Sequence, residues 1–510
     1  MNVPASIFKA YDIRGIINET LNPEIAYAIG QAFGSQMRDL GETEIVVGRD
    51  GRLSGPELIE ALTKGLLSTG INVIDLGMVA TPMVYFAANQ TLGNLQPKSG
   101  IMITGSHNPP NYNGFKMVLG GSAIYGDQIQ SLRKQIERED FHHGAGKRST
   151  FNIFPQYLKY IVGDIRLARP MKIAVDCGNG VGGAFAGELF RALGCEVQEL
   201  FCEVDGHFPN HHPDPAHLEN LQDLIRNLAT TDNELGLAFD GDADRLGVVT
   251  KDGQVIFPDR QMMLFAKDVL TRHPKGQIIY DVKCTRNLAP WIEQHGGQAL
   301  MWKTGHSLVK AKLKETGAPL AGEMSGHIFF KDRWFGFDDG LYTGARLLEI
   351  LSKEKDPSKT LNDLPNAICT PELQLACAEG EPFALLETIK ANAKFPTSES
   401  INTIDGVRVE YADGFGLARP SNTTPVIVLR FEADTQAALR RIQSEFKAAL
   451  AAIPDEIVDQ LIIHGSPEYC RGRIRDYFDN GVTTTSLAIM PLDPALNHWE
   501  AVRALAPSAG

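Results

Sequence analysis

The chain has 510 residues, 43% hydrophobic and 22% charged, ordinary proportions for a folded protein; at roughly 100–200 residues per domain, three or four domains are expected. A formal net charge of −13 argues against nucleic acid or an anionic membrane as partner, and requires that any anionic substrate meet a local basic cleft on an acidic protein. Apolar runs such as 45–47 and 426–429 are far too short to span a bilayer, residues 1–6 do not read as a secretory signal, and seven cysteines without Cys-x-x-Cys spacing read as buried free thiols, so a cytoplasmic protein is expected.

The first predicted unit is a strand over 44–48, a helix over 56–68 closed by Gly70, and a strand over 72–76. The strands are short Val/Ile-rich runs, and the helix carries apolar residues at three- and four-residue spacing. An apolar strand over 100–103 then runs into Thr104-Gly105-Ser106-His107-Asn108-Pro109-Pro110. A serine between glycine and histidine at a strand end is expected to be exposed and able to react, in a setting unlike the Gly-x-Ser-x-Gly elbow of hydrolases; the other reading is a Ser/Asn-rich turn. Asn111-Tyr112-Asn113-Gly114-Phe115-Lys116 follows and brings a lysine within reach of the same cleft.

The second unit is a strand over 172–176, a glycine-rich turn, a helix over 184–193, Gly194 and a strand over 196–200. Its turn, Gly178-Asn179-Gly180-Val181-Gly182-Gly183, matches a dinucleotide-binding fingerprint, with Glu203 or Asp205 about 20 residues on; glycines here also serve close strand–helix packing alone. Between strands over 235–239 and 246–250 lies Asp240-Gly241-Asp242-Ala243-Asp244-Arg245. Three carboxylates at alternate positions of a tight turn can converge on one ion, and oxygen ligands select Mg²⁺ or Ca²⁺. An EF-hand is ruled out by Arg245 and Lys251 at its glycine and glutamate positions. The alternative is a solvated acidic turn, in which mutual repulsion raises the pKa values.

The third unit is a strand over 277–281, a helix over 287–294, Gly296-Gly297 and a strand over 298–302; further on, Gly322-Glu323-Met324-Ser325-Gly326-His327 follows another apolar strand. Glu323 and Ser325 suit vicinal sugar hydroxyls, or a capped turn. Strand–helix–strand units with short links imply parallel pairing, so three of them predict three related α/β domains; the alternative is one long doubly wound sheet. Beyond about Pro365, strands over 406–411 and 426–431 and a helix over 435–452 predict a smaller α+β domain. Its loop Arg419-Pro420-Ser421-Asn422-Thr423-Thr424-Pro425 joins a guanidinium to hydroxyls and N–H groups, a donor set suited to phosphate, or makes a β-turn.

Taken together, these loops and Phe8-Lys9-Ala10-Tyr11-Asp12-Ile13-Arg14-Gly15 resemble the α-D-phosphohexomutase family, in its bacterial phosphomannomutase/phosphoglucomutase branch, over most of the chain up to about Ala452. The resemblance implies three related mixed α/β domains and a C-terminal α+β domain around a central cleft, at 1–151, 152–254, 255–366 and 367–454, with an extra tail over 455–510. It makes Ser106 the phosphoserine and places Asp240, Asp242 and Asp244 around Mg²⁺, with a phosphoserine oxygen as a further ligand. It assigns the sugar to Glu323 and Ser325 with His327 beside them, and the distal phosphate to Arg419, Ser421, Asn422 and Thr423. Lys116, His306 and His107 serve proton transfer or charge neutralisation, and Arg245, Lys283, Tyr11 and Arg14 line the cleft.

The implied reaction interconverts the 1- and 6-phosphates of mannose, glucose or both, in a monomer acting on small-molecule sugar phosphates, through hexose 1,6-bisphosphate as intermediate and activator. Gly-Glu-Met-Ser-Gly-His looks like the version that accepts both sugars, which differ only at C2. A serine-dependent sugar-phosphate phosphatase and a non-catalytic sugar-phosphate or nucleotide-binding protein are the alternatives. The tail, with Gly465-Ser466-Pro467-Glu468-Tyr469-Cys470-Arg471 and a strand-like 484–490, resembles the closing segment of luciferase-like monooxygenases; such a fragment cannot form a flavin barrel alone, so no flavin is expected.

Overall fold

The computed structural model describes residues 1, 3–377, 381–422 and 424–451; the tail from 455 lies outside them. The chain divides into two units, Met1–Ala367 and a second that begins at Ile368.

The first unit holds three sheets. The first runs Ile13–Ile16, Tyr112–Leu119, Ser99–Ile103, Glu44–Arg49, Asn72–Met78, Arg148–Thr150 from edge to edge. The second runs Val255–Ile256, Leu246–Thr250, Leu235–Phe239, Lys172–Asp176, Glu196–Leu200, and the third Gln298–Trp302, Gln277–Asp281, Leu320–Gly322, Ile328–Phe330. Glu44–Arg49, Lys172–Asp176 and Gln277–Asp281 each pair in parallel on both sides. The three strand–helix–strand units are therefore present, in separate sheets rather than one long sheet. Ser99–Ile103 and Leu235–Phe239 are buried at every position, as expected of strands covered on both faces.

The helices follow local signals. Asn22 caps Pro23–Asp39 by accepting the Ile25 N–H at 2.9 Å, and Pro23 occupies the first turn, where its missing N–H costs nothing. The helix expected over 184–193 is a 3-10 turn, Val181–Ala184, followed by an α-helix, Ala186–Ala192; the break falls at Phe185, where φ is −132°.

One continuous apolar cluster joins the three sheets, with Val46, Ile74 and Phe86 packed in the same core as Ile173, Phe239, Ile278 and Phe330. Trp334 stacks on Phe86 at 5.5 Å and on Tyr342 at 4.2 Å. At about 1.5–3 kcal/mol per buried large side chain, this shared core fixes the three sheets, and the loops at their ends, relative to one another.

The second unit has an antiparallel sheet in the order Ile368–Cys369, Val426–Ala433, Gly414–Pro420, Val407–Tyr411, Ser400–Asn402. The helices Glu381–Asn392 and Gln436–Ala451 accompany it, and Val409, Phe431, Ile442 and Phe446 form its core. This is the α+β domain expected. Among the described residues, no helix is long and apolar enough to cross a membrane.

Candidate active site

Three loops leave the three sheets at equivalent places, where the C-terminal end of a parallel strand folds back into an antiparallel neighbour. Ser99–Ile103 leads to Ser106, Leu235–Phe239 to Asp240, and Leu320–Gly322 to Glu323. Strand C-terminal ends are where α/β sheets gather ligands.

Ser106 Oγ lies 3.3 Å from Asp240 Oδ2 and 3.2 Å from His107 Nδ1. The serine is fully buried, not exposed as its strand-end position led us to expect, because the acidic turn packs directly onto it. Gly241 permits this approach: a Cβ there would stand 2.3 Å from the Ser106 carbonyl oxygen. Behind it, a Cβ on Gly180 would meet Gly241 Cα at 2.9 Å, and the Val181 N–H donates to the Gly241 carbonyl at 3.0 Å. The glycine-rich turn thus braces the acidic turn. Ser106 (φ 50°) and Ala243 (φ 60°) both have left-handed backbone, costing about 1–2 kcal/mol each and tolerated where the surroundings over-determine it.

Asp240, Asp242 and Asp244 are fully buried, and their potential ligand atoms lie within 4.8 Å of one another. Burial, then repulsion from Asp242 and Asp244, pushes the Asp240 carboxyl well above its usual range. Lys116, opposite Met102 in the adjoining strand, donates to Asp242 Oδ2 at 2.7 Å and Asp244 Oδ2 at 2.5 Å. Burial alone would lower its pKa, but the Asp242, Asp244 and Asp240 charges hold it above the usual lysine value. Burial would raise Asp244, yet Lys116 and His327 hold it well below the carboxylate range. Thr81, at the start of the helix Thr81–Ala87, also donates to Asp242 Oδ2 at 2.5 Å. Asp242 Oδ1 is buried with no hydrogen-bond partner among the described residues. Three converging carboxylates with unused acceptor capacity fit a hard divalent cation.

The basic surroundings required on an acidic chain are present. Burial first, then Arg245, Arg14 and Lys116, keep the His107 imidazole well below its usual pKa. Arg245 Nε is 3.2 Å from His327 Nε2 and 3.7 Å from Asp240 Oδ2, while Arg14 pairs with Asp12 at 2.5 Å. Tyr11 meets the His306 ring edge-on at 5.0 Å. His306 is buried, neither ring nitrogen has a hydrogen-bond partner among the described residues, and burial, Lys310 and Lys116 hold it well below its usual pKa.

In the third loop, Glu323 Oε1 accepts the Gly305 N–H at 2.5 Å, and Oε2 lies 3.3 Å from His327 Nδ1, itself 3.0 Å from Ser325 Oγ. Burial would raise Glu323, but His327, the Gly305 N–H and Lys283 hold it below its usual range. Lys283 is buried just past the strand Gln277–Asp281, and Asp281 holds the loop by accepting the Met324 N–H at 3.2 Å.

In the second unit, Arg419 is buried near the end of Gly414–Pro420 with Nε 3.0 Å from Asp405 Oδ2. The Thr424 hydroxyl donates to Ser421 Oγ at 2.9 Å. Asn422 follows on the same loop, and Thr423 lies outside the described residues.

Sequence reasoning missed Thr81, the turn Asp50-Gly51-Arg52, and the segment around His212 and Asp214. His212 hydrogen-bonds the His107 backbone, Pro213 accepts the Gly241 N–H at 3.1 Å, and the Asp214 charge acts on Arg245. The signals were the density of histidine and aspartate over 205–217 and, for Arg52, its place directly after a parallel strand.

Comparison with known proteins finds relatives over most of the chain. Residues 5–143, 155–253 and 257–368 match the family profiles described as phosphoglucomutase/phosphomannomutase, alpha/beta/alpha domains I, II and III, and residues 372–449 match the C-terminal domain. The chain is 59% identical over 459 residues to a phosphoglucomutase of Neisseria meningitidis, covering 89% of this chain and 99% of the relative. It is 55% identical over 456 residues to a phosphomannomutase/phosphoglucomutase of Pseudomonas aeruginosa, covering 89% and 97%. A crystal structure of a phosphoglucomutase/phosphomannomutase family protein from Burkholderia thailandensis superposes with a TM-score of 0.86 at 63% identity, over 88% of this chain and 98% of that one.

Proposed function

The chain belongs to the phosphoglucomutase/phosphomannomutase family, and on that premise we propose that it reversibly interconverts hexose 1-phosphate and hexose 6-phosphate, of glucose and mannose alike, through phosphorylated Ser106 and a hexose 1,6-bisphosphate. The observation that carries the reading is the 3.3 Å approach of Ser106 Oγ to Asp240, with Lys116 bridging the other two carboxylates of the acidic turn.

Mg²⁺ held by Asp240, Asp242 and Asp244 supplies charge neutralisation for phosphoryl transfer, which is otherwise a matter of positioning. The chain's own groups do the rest. Lys116 and Arg245, both held charged by the surrounding carboxylates, stabilise the charge that builds on the transferring group. Proton uptake from the attacking sugar hydroxyl is assigned to His107 and His306, whose imidazoles are held well below their usual pKa, chiefly by burial. Glu323 and Ser325, with His327 between them, grip sugar hydroxyls; Tyr11, Arg14 and Lys283 line the cleft; Arg419, Ser421, Asn422 and Thr423 hold the distal phosphate. The bisphosphate must offer each phosphate to Ser106 in turn, so the distal loop has to accept two orientations of the sugar, which a cluster of hydroxyls and N–H donors allows. Burial of Ser106 keeps water from its phosphate. The domain bounds 1–151, 152–254, 255–366 and 367–454, a cytoplasmic monomer, and a dispensable or docking role for 455–510 belong to the same proposal.

Intact mass of the purified protein tests it: one phosphate at Ser106, lost in Ser106→Ala together with turnover, is expected. Release of free phosphate from hexose phosphates would favour a phosphatase, and full ligand affinity without phosphate or turnover would favour a binding protein. Dual specificity fails if only one of glucose 1-phosphate and mannose 1-phosphate is turned over at an appreciable rate.

A further inference from the structure

Arg52 holds the loop that carries the proposed nucleophile. Its side chain is fully buried, and its guanidinium is spent on backbone carbonyls. Nη1 donates to Pro109 at 2.5 Å and Tyr112 at 3.0 Å, and Nη2 to Ser106 at 2.8 Å and Asn108 at 2.6 Å. Four carbonyls of one loop therefore converge on one side chain, a geometry that a planar fork of five donors can satisfy and an ammonium cannot.

Asp50 sets the fork. Its Oδ2 lies 3.3 Å from Arg52 Nε, and its Oδ1 accepts the Arg52 N–H at 2.9 Å. The same carboxylate accepts the Thr104 hydroxyl at 2.7 Å, and Thr104 Oγ1 in turn accepts the Ser106 N–H at 2.8 Å. Both backbone polar groups of Ser106 are thus held by one unit, Asp50–Arg52–Thr104. On its other side the guanidinium stacks over Phe208 at 5.1 Å, in the segment that also presents Pro213 to Gly241.

We propose that Arg52 is a positioning residue for phosphoryl transfer: it locks the seryl loop so that Ser106 keeps its left-handed backbone and points Oγ at Asp240. This rests on the mutase reading above. A φ of 50° at Ser106 is one an L-residue adopts only under constraint, and the hydrogen bonds imposing it run back to Arg52 and Asp50. Without the fork the loop relaxes, and a misplacement of about 1 Å at the reacting atom costs on the order of 10²-fold in rate.

Arg52→Lys keeps the charge and loses the fork. Steady-state kinetics on glucose 1-phosphate should show kcat reduced about 10²-fold with KM nearly unchanged, because what is lost is alignment of the reacting Oγ and not a contact to the sugar. Phosphate uptake at Ser106 from glucose 1,6-bisphosphate should slow by the same factor. A purely structural role would instead lower the melting temperature and the active fraction while leaving kcat per phosphorylated molecule at the wild-type value, and that result overturns the proposal. If Arg52→Lys does not fold, the near-isosteric Thr104→Val decides: a lowered kcat at constant KM supports the clamp, and unchanged kcat overturns it. Wild-type protein that neither takes up phosphate nor turns over would sink the mutase reading first, and is seen before any variant is made.

Discussion

Replacing Gly241 by alanine should pry the acidic turn off the seryl loop without altering any functional side chain. The added Cβ would stand 2.3 Å from the Ser106 carbonyl oxygen and 3.5 Å from Pro213 Cγ. Contacts of a Cβ below 3.0 Å are essentially never seen, and the obstacle is main chain rather than the end of a flexible side chain. The two backbones must therefore part by roughly 0.7 Å, close to the 1 Å error that costs about 10²-fold in rate. With Ser106 Oγ now 3.3 Å from Asp240 Oδ2, a shift of that size takes the two groups out of contact. The expected loss is about 2–3 kcal/mol of transition-state stabilisation, with a further 1–3 kcal/mol or so of overpacking visible in the melting temperature. Conversion of glucose 1-phosphate to glucose 6-phosphate, coupled to an NADPH-forming dehydrogenase, should show kcat down by about 30- to 100-fold, with KM little changed because Glu323 and Ser325 are untouched. A variant with wild-type kcat and melting temperature would refute the claim that these two loops touch in the working enzyme.

Lys116→Met removes the cation that bonds Asp242 and Asp244; kcat should fall on the order of 10²-fold or more, while Mn²⁺ affinity measured by titration should hold or rise, since a competing positive charge is gone. Weakened metal binding would contradict that account of Lys116. Exhaustive chelation should abolish turnover and added Mg²⁺ restore it; activity that survives chelation would remove the acidic turn from the mechanism. Asp339 is a pH-dependent element next to the acidic turn, since the N–H of the following Gly340 donates to the Ala243 carbonyl at 3.1 Å. It caps the helix Gly340–Leu351, accepts from the Tyr157 hydroxyl at 2.8 and 2.9 Å, and is pushed up to about 7, chiefly by burial. A carboxyl whose folded pKa lies above its unfolded value of 3.8 contributes stability that is fully present below that value and lost as pH rises through about 7, on the order of a few kcal/mol in all. Asp339→Asn keeps the cap acceptor and does not titrate. The urea midpoint of the variant should therefore gain on wild type between about pH 4 and about pH 7 and hold its lead above that; a constant difference across that range would contradict the assignment.

The strands over 172–176, 235–239, 246–250, 277–281 and 298–302 stand where their apolar runs place them. Such runs, glycine stops and helical spacing are local signals that select backbone hydrogen bonds with near neighbours, and they survive whatever the rest of the chain does. The chemistry of the loops was legible for the same reason: three carboxylates on one turn, or a serine beside a histidine, carry their meaning in residue type and spacing. What the sequence could not convey was partnership at long range. Ser106 and Asp240 are 134 positions apart, and Lys116 and Asp242 126 apart; only packing through the shared core turns a serine read as exposed into one sealed beneath an acidic turn. Gly180 reads as one glycine of a nucleotide-binding or strand–helix packing turn, and its crossing with Gly241 shows only when the two main chains are seen together. Arg52 went unread, because its partners are carbonyl oxygens, which every residue carries and no sequence pattern marks. The amino-acid order by itself determined the elements, the donor sets and the kind of chemistry; tertiary structure decided burial, charge state and line of attack, since each depends on which groups are excluded from water together.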